Sequence, residues 1–336
     1  MAMDTLIEIQ NLTKHFGSLK AVNGISFSVQ RGEVLGFLGP NGAGKSTTMK
    51  MLTGFLTPSS GSIEVAGHSV LKDAIKAQEA IGYLPEGAPL YPDMTPAGLL
   101  RFISAIRGLK GAAREARIAT VIGQVHIEGV LHQSIETLSK GFKRRVGLAL
   151  AILHDPEILI LDEPTDGLDP NQKHEVRELI CEMSQNKAIV LSTHILEEVD
   201  AVCTRAIIID RGTVVADGTP ADLRARASNH NVVHITLRSS DNAVESQLRE
   251  LPNVQSMEQV AMANGMIRYE LTPLNRMSII DGVSELVRAK NWEALELVSQ
   301  PGSLNELFRE VTDSDLRKNA TSTPQQQPQV SAGVNA

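Results

Sequence analysis

Gly39-Pro40-Asn41-Gly42-Ala43-Gly44-Lys45-Ser46-Thr47 fits the pattern G-x-x-x-x-G-K-[ST], and its flanks supply the context that pattern requires. Immediately before it, Val34-Leu35-Gly36-Phe37-Leu38 is a short apolar run that reads as a buried parallel strand. Immediately after it, Thr48 to Leu56 carries Met49, Leu52 and Phe55 at helical spacing. Strand, glycine-rich turn and helix aim backbone N–H groups at one point, backed by the positive end of a helix dipole. The glycines let the backbone wrap a phosphate without Cβ interference. Lys45 is placed to reach the outer phosphates, and the Ser46 hydroxyl to ligate Mg²⁺. The stretch reads as a nucleoside triphosphate site.

On the N-terminal side, Leu6-Ile7-Glu8-Ile9 opens as a strand, and Ile25-Ser26-Phe27-Ser28-Val29 alternates as an antiparallel strand with one wet face does. Phe16 lies between them in a turn. On the C-terminal side follow a strand at Ser62 to Ala66, a helix at Lys72 to Ala80 and a strand at Ile81 to Leu84, stopped by Pro85. From Thr95, Leu99, Phe102, Ile103 and Ile106 share a helical face expected to be core. With Ala112 to Val125 they imply a helical insertion between two halves of a sheet. A helix at Gly141 to Leu153 precedes Ile158-Leu159-Ile160-Leu161-Asp162-Glu163, an apolar strand ending in two carboxylates. Ala188 to Leu191 and Ala206 to Ile209 are two more buried strands. Strands alternating with helices predict an α/β fold with a mostly parallel sheet.

From about Ser228 the pattern changes to alternating strands at Val232 to Leu237 and Ile267 to Leu271, with a helix around Leu286 and Val287. This predicts a small α+β domain over 228–316. Residues 317–336, rich in Gln, Pro, Ser and Thr, lack the apolar residues to fold and are expected to be disordered.

The 336 residues, 42% hydrophobic and 21% charged, suffice for two domains with a proper core. A net charge of −7 argues against a duplex-binding protein, so no nucleic-acid partner is expected. Two cysteines without C-x-x-C spacing give neither a structural zinc nor a disulfide framework, and suit a reducing cytoplasm. The N-terminus does not read as a secretory signal, and no window reaches the ~18 apolar residues of a spanning helix. Any membrane role is therefore expected to pass through another chain.

Asp162 and Glu163 stand about 115 residues after Lys45, where a strand-end Asp can hold Mg²⁺ beside a phosphate loop. A second carboxylate can polarise an attacking water. With these residues the sequence resembles the ATP-binding cassette (ABC) ATPases over residues 5 to 225, with a helical subdomain about 87–155. Leu138-Ser139-Lys140-Gly141-Phe142 sits where the family signature reads Leu-Ser-Gly-Gly-Gln. Gly167-Leu168-Asp169 matches the D-loop, His194 the switch histidine, and Phe16 the aromatic stacked on adenine. Two positions depart from the pattern: Lys140 and Phe142 replace Gly and Gln, and Glu86 replaces the Q-loop Gln. Both variants are similar to those of exporter ATPases related to gliding-motility and multidrug-type transport, a subgroup with a small extra C-terminal domain. Leu304-Asn305-Glu306-Leu307-Phe308 resembles that domain's closing motif.

The resemblance implies an ATP- and Mg²⁺-dependent ATPase, the energy-coupling subunit of a transporter, on the cytoplasmic face of the membrane. It implies catalytic roles for Glu163 as base, His194 at the γ-phosphate and Lys45 as charge stabiliser. Residues 39 to 47 and Phe16 would contact nucleotide, and Ser46, Asp162 and Glu86 the metal. Ser139 and Gly141 would contact the ATP of a second subunit, either another copy or a paralogous cassette. Separate transmembrane permease subunits would complete the assembly. The alternatives are a soluble ABC ATPase acting on ribosomes or DNA, or a regulatory ATPase without transport.

Overall fold

The computed structural model describes residues 4–238, 242–262 and 266–313. The chain begins with a hairpin, β1 (Thr5–Phe16) and β2 (Leu19–Gln30), followed by β3 (Val34–Leu38) and α1 (Lys45–Leu52). Next come β4 (Ser60–Val65), β5 (His68–Ser69), α2 (Ala74–Glu79) and β6 (Ile81–Leu84). The helical insertion holds α3 (Pro96–Ile106), α4 (Gly111–Val125) and α5 (Lys140–Ile152). Then follow β7 (Ile158–Asp162), α6 (Pro170–Ser184), β8 (Ala188–Thr193) and α7 (Leu196–Val202). β9 (Arg205–Asp210), β10 (Thr213–Gly218) and α8 (Pro220–Ala225) finish this part.

The central sheet has strand order β10-β9-β3-β8-β7-β6 and is parallel except at β10. A second sheet, β2-β1-β4-β5, is antiparallel. Every residue of β3, β7 and β8 is buried, which is why those stretches read as unbroken apolar runs rather than alternating ones. Side chains still alternate between two cores. Val34 and Leu38 of β3 join the layer holding the helical insertion, and Leu35 and Phe37 the layer facing the antiparallel sheet.

Two expectations about helical faces are corrected. α1 stops at Leu52, and Gly54 at φ 76° turns the chain, so Phe55 is 74% exposed. In α3 the buried residues are Pro96, Leu99, Leu100 and Ser104, whereas Phe102 and Ile106 are 45% and 66% exposed. The helix itself starts as its sequence dictates: Thr95 caps it by accepting from the Gly98 N–H at 3.1 Å, with Pro96 in the first turn. Only part of the apolar stripe turns inward.

The C-terminal part contains β11 (His230–Leu237), α9 (Asn242–Arg249), β12 (Val254–Ala261) and β13 (Ile267–Pro273). It ends with α10 (Ile280–Ala289), β14 (Ala294–Pro301) and α11 (Leu304–Thr312). Its antiparallel sheet, β12-β13-β11-β14, has its own core, including Val233, Ile235, Tyr269, Leu271, Leu248 and Val283. α11 instead returns to α8 and β9, and its Leu304 and Leu307 share a core with Leu223 and Ala227. The expected disorder of 317–336 falls outside the described residues.

His154, after α5, bonds the Ile81 carbonyl through Nε2 at 3.0 Å. Burial first, then the Arg107 cation, lowers its pKa from 6.5 to about 4. Between pH 6.5 and 4 the unfolded chain takes up this proton and the folded chain does not, so stability falls as pH falls through that window. His154→Gln keeps a donor for Ile81 and removes the titration. Its melting temperature is expected to fall less steeply between pH 6.5 and 4 than that of the wild type. Parallel curves in a pH series of melts would count against the assignment.

Candidate active site

The phosphate loop lies between the end of β3 and the start of α1, and close backbone approaches fix its shape. A Cβ on Gly39 would stand 2.4 Å from the Ile209 carbonyl oxygen of β9. Gly44 has φ 109°, and a Cβ there would stand 2.5 Å from the Ala21 oxygen. The loop is thus clamped between β9 and β2. Lys45 is buried and folds back over it, donating to the Gly39 oxygen at 2.7 Å and the Pro40 oxygen at 3.3 Å. Burial lowers the Lys45 pKa, opposed by the carboxylates of Glu163, Asp162 and Glu86. That opposition places all three acids in the electrostatic neighbourhood of one ammonium.

A cleft of about 380 Å³ opens over the loop, lined by Phe16, Leu19, Ala21, Asn41, Gly42, Gly44, Lys45, Ser46, Thr47, Glu86 and Glu163. Phe16 ends β1 at its edge, half exposed, with the Lys14 ammonium 5.2 Å from its ring centroid. Glu86 follows Pro85 at the end of β6, exposed at the cleft. The cleft therefore gathers Phe16, the loop, Glu86 and Glu163. Gly39, Pro40 and Ala43 shape the loop from behind, and Ala43 is buried.

β7 ends at Asp162, which does not line the cleft, and the next residue, Glu163, does. Asp162 is 1% exposed and accepts from the Ser192 hydroxyl of β8. Glu163 has φ 51°, and its N–H donates to the Ser192 carbonyl at 3.1 Å. Its carboxylate lies 2.9 Å from His194 Nδ1. Burial raises the Glu163 pKa, and His194 and Lys45 pull it back. A partly desolvated carboxylate beside an imidazole is suited to hold a proton during turnover.

Ser139 and Gly141 do not line this cleft. Ser139 caps α5, accepting from the Phe142 N–H at 3.3 Å. Gly141 is pressed against Gln172 of α6, where a Cβ would stand 2.4 Å from Oε1. Asp169 caps α6 by accepting from the Gln172 N–H at 2.9 Å. Two residues outside the sequence reading belong to the site's frame. Glu198, 2% exposed, accepts from the Thr165 hydroxyl and, at 2.8 Å, from the Thr193 hydroxyl, joining the loop after β7 to the end of β8. Arg144 of α5 binds backbone carbonyls behind Glu163. No spacing pattern marks either residue.

A parallel sheet, a Gly-rich loop between its β3 and α1, and strand-end carboxylates from β7 define a P-loop nucleoside triphosphatase. A family model described as ABC transporter matches residues 22–166. The linearmycin resistance ATP-binding protein LnrL of Bacillus subtilis (strain 168) is 33% identical over 313 residues, covering 93% of this chain and 100% of that protein. The chain belongs to the ABC transporter family as an ATP-binding, ATP-hydrolysing subunit that drives transport. The Nod factor export ATP-binding protein I of Burkholderia orbicola (strain AU 1054) is 32% identical over 312 residues, covering 93% of this chain and 98% of that protein. A solved structure titled as the ATP binding subunit of an ABC transporter superposes with a TM-score of 0.61 at 33% identity, covering 65% of this chain and 92% of that one.

Proposed function

We propose that this chain powers export from the cytoplasmic face of a membrane, by closing on ATP against a second cassette while docked to separate transmembrane subunits. Among the described residues no helix is long and apolar enough to cross a membrane. The direction draws on the relatives, one named for resistance and one for export. Residues 5–225 form the nucleotide-binding unit in this reading, with the helical subdomain at about 87–155 and an accessory domain at 228–316.

The roles in this reading draw on the family resemblance, with the site's geometry in support. Phe16 meets the base, the loop from Gly39 to Thr47 cradles the phosphates, and Lys45 turns from the loop carbonyls to the outer phosphate oxygens. The Ser46 hydroxyl and the Asp162 and Glu86 carboxylates are hard oxygen donors and suit Mg²⁺. Bound there, the ion would neutralise charge on the β- and γ-phosphates. Glu163 takes the proton of the attacking water, and His194 sits against Glu163 at the γ-phosphate side. Ser139 and Gly141, away from their own cleft, face the ATP of the other subunit.

The observation that carries docking to a membrane subunit is a groove of about 650 Å³ between the central sheet and the helical insertion. Its rim presents Phe55, Ile75 and Ile106 at 74%, 73% and 66% exposure. Phe55 and Tyr83 pack there with ring centroids 5.7 Å apart and planes tilted by 51°. Large apolar side chains grouped around a concavity mark a protein contact, here a short amphipathic segment of the membrane subunit. Phe55→Asp and Ile106→Asp are expected to leave the isolated chain's ATPase rate within about twofold, since neither side chain is core. Both are expected to reduce co-purification with the membrane subunit at least tenfold. Undiminished co-purification would refute this use of the groove.

A further inference from the structure

Arg144 is 5% exposed, although it stands in the run Lys143-Arg144-Arg145. Its neighbours are partnered conventionally: Lys143 donates to the Glu136 carbonyl at 2.9 Å, and Arg145 pairs with Glu175. Among the described residues, Arg144 makes no ion pair with a carboxylate. Its guanidinium donates to four backbone carbonyls: Nε to Pro164 at 3.3 Å, Nη1 to Pro85 at 3.2 Å, Nη2 to Asp162 at 3.0 Å, and Nη2 also to Glu163.

Two of those carbonyls open tight turns. The Pro85 oxygen also accepts from the Ala88 N–H at 3.1 Å, and the Glu163 oxygen from the Asp166 N–H at 3.2 Å. Glu86 is the second residue of the first turn and Glu163 the first of the second. One planar fork therefore braces both cleft-lining acids through their backbones. Glu163 most needs such support, because its φ of 51° lies in the left-handed region that non-glycine residues seldom adopt. Ser192 holds its N–H, and Arg144 holds its C=O. Arg144 also lies on α5, five residues after Ser139 at the helix cap.

We infer that Arg144 is a positioning residue: it fixes the Glu163 peptide in its left-handed conformation, and ties it to the Glu86 turn and to the helix that begins at Ser139. This rests on the reading of Glu163 as the base. The chemistry favours arginine. A guanidinium presents five N–H donors in a rigid fork, whereas an ammonium can satisfy one turn and not bridge two.

The test uses the full chain with three variants, Arg144→Gln, Arg144→Lys and Glu163→Gln, measuring kcat, the affinity for a non-hydrolysable ATP analogue, and thermal melting. Arg144→Gln is expected to lower kcat about thirtyfold or more, with analogue affinity within threefold and the melt within a few degrees of wild type. Arg144→Lys is expected to recover part of that loss, ending about fivefold below wild type. The inference is overturned if Arg144→Gln keeps kcat within threefold, or loses affinity in proportion to kcat. A collapse of its melt leaves the decision to Arg144→Lys, which overturns the inference if it is fully active or loses affinity with rate. Glu163→Gln reads the underlying assignment separately: if it hydrolyses normally, the base assignment fails, whatever the Arg144 variants do.

Discussion

Glu163→Gln is expected to slow ATP hydrolysis by about 10² or more, while ATP still binds and the protein accumulates as a dimer in ATP and Mg²⁺. The amide has the carboxylate's shape and can still bond His194, whose Nδ1 lies 2.9 Å from Glu163 Oε2. It tolerates the φ of 51° no worse than glutamate does, so the backbone frame around Ser192 and Arg144 is retained. What it cannot do is take a proton from water. Burial lifts the Glu163 pKa above the ordinary carboxylate value, which improves it as a base. In the proposed two-cassette assembly, uncleaved ATP would leave the γ-phosphate contacts between the cassettes in place. Sizing chromatography with and without nucleotide, beside a steady-state rate, checks both halves. A variant that turns over normally and remains monomeric would remove Glu163 from the role of base.

The strand–loop–helix unit under the cleft was legible in the sequence because its demands are local. Gly39 to Thr47 must lie between one strand and one helix, and β3 and α1 bear this out. The unbroken apolar runs of β3, β7 and β8 follow from burial on both faces of a parallel sheet. Phe55, Phe102 and Ile106 were misread because periodicity reports which residues share a face, not whether this chain covers it. The helix break at Gly54 put Phe55 beyond its helix, and the outward side of α3 borders a groove. Arg144 was hidden for another reason. Three adjacent cations look like a solvated run, yet on α5 they take separate directions, and the middle one turns inward to the backbone behind Glu163. Glu198 was equally silent, because its partners Thr165 and Thr193 are 33 and 5 residues away and carry no motif.

Lys45→Ala separates the cost of a buried cation from its use. In the folded chain the ammonium is desolvated, which lowers its pKa, and it is held by two carbonyls and three neighbouring acids. Removing it relieves that desolvation but leaves the Gly39 and Pro40 carbonyls without their donor, so the two changes offset and the melt without nucleotide is expected to shift little. Binding is a different matter. Charge-assisted hydrogen bonds contribute about 1.5–3 kcal/mol each, so losing those to the outer phosphates is expected to weaken ATP about 100-fold and abolish measurable hydrolysis. Linkage makes the contrast visible in one experiment: at 100 times its own Kd, ATP stabilises the wild type by about 2.7 kcal/mol. At the same concentration a variant bound 100-fold more weakly gains only about 0.4 kcal/mol. Thermal melts with and without ATP should therefore show a clear upward shift for wild type and almost none for Lys45→Ala, from nearly equal starting points. An equal ATP-induced shift in the two proteins would sink the phosphate role of Lys45, and a collapsed melt without ATP would make it a structural residue instead.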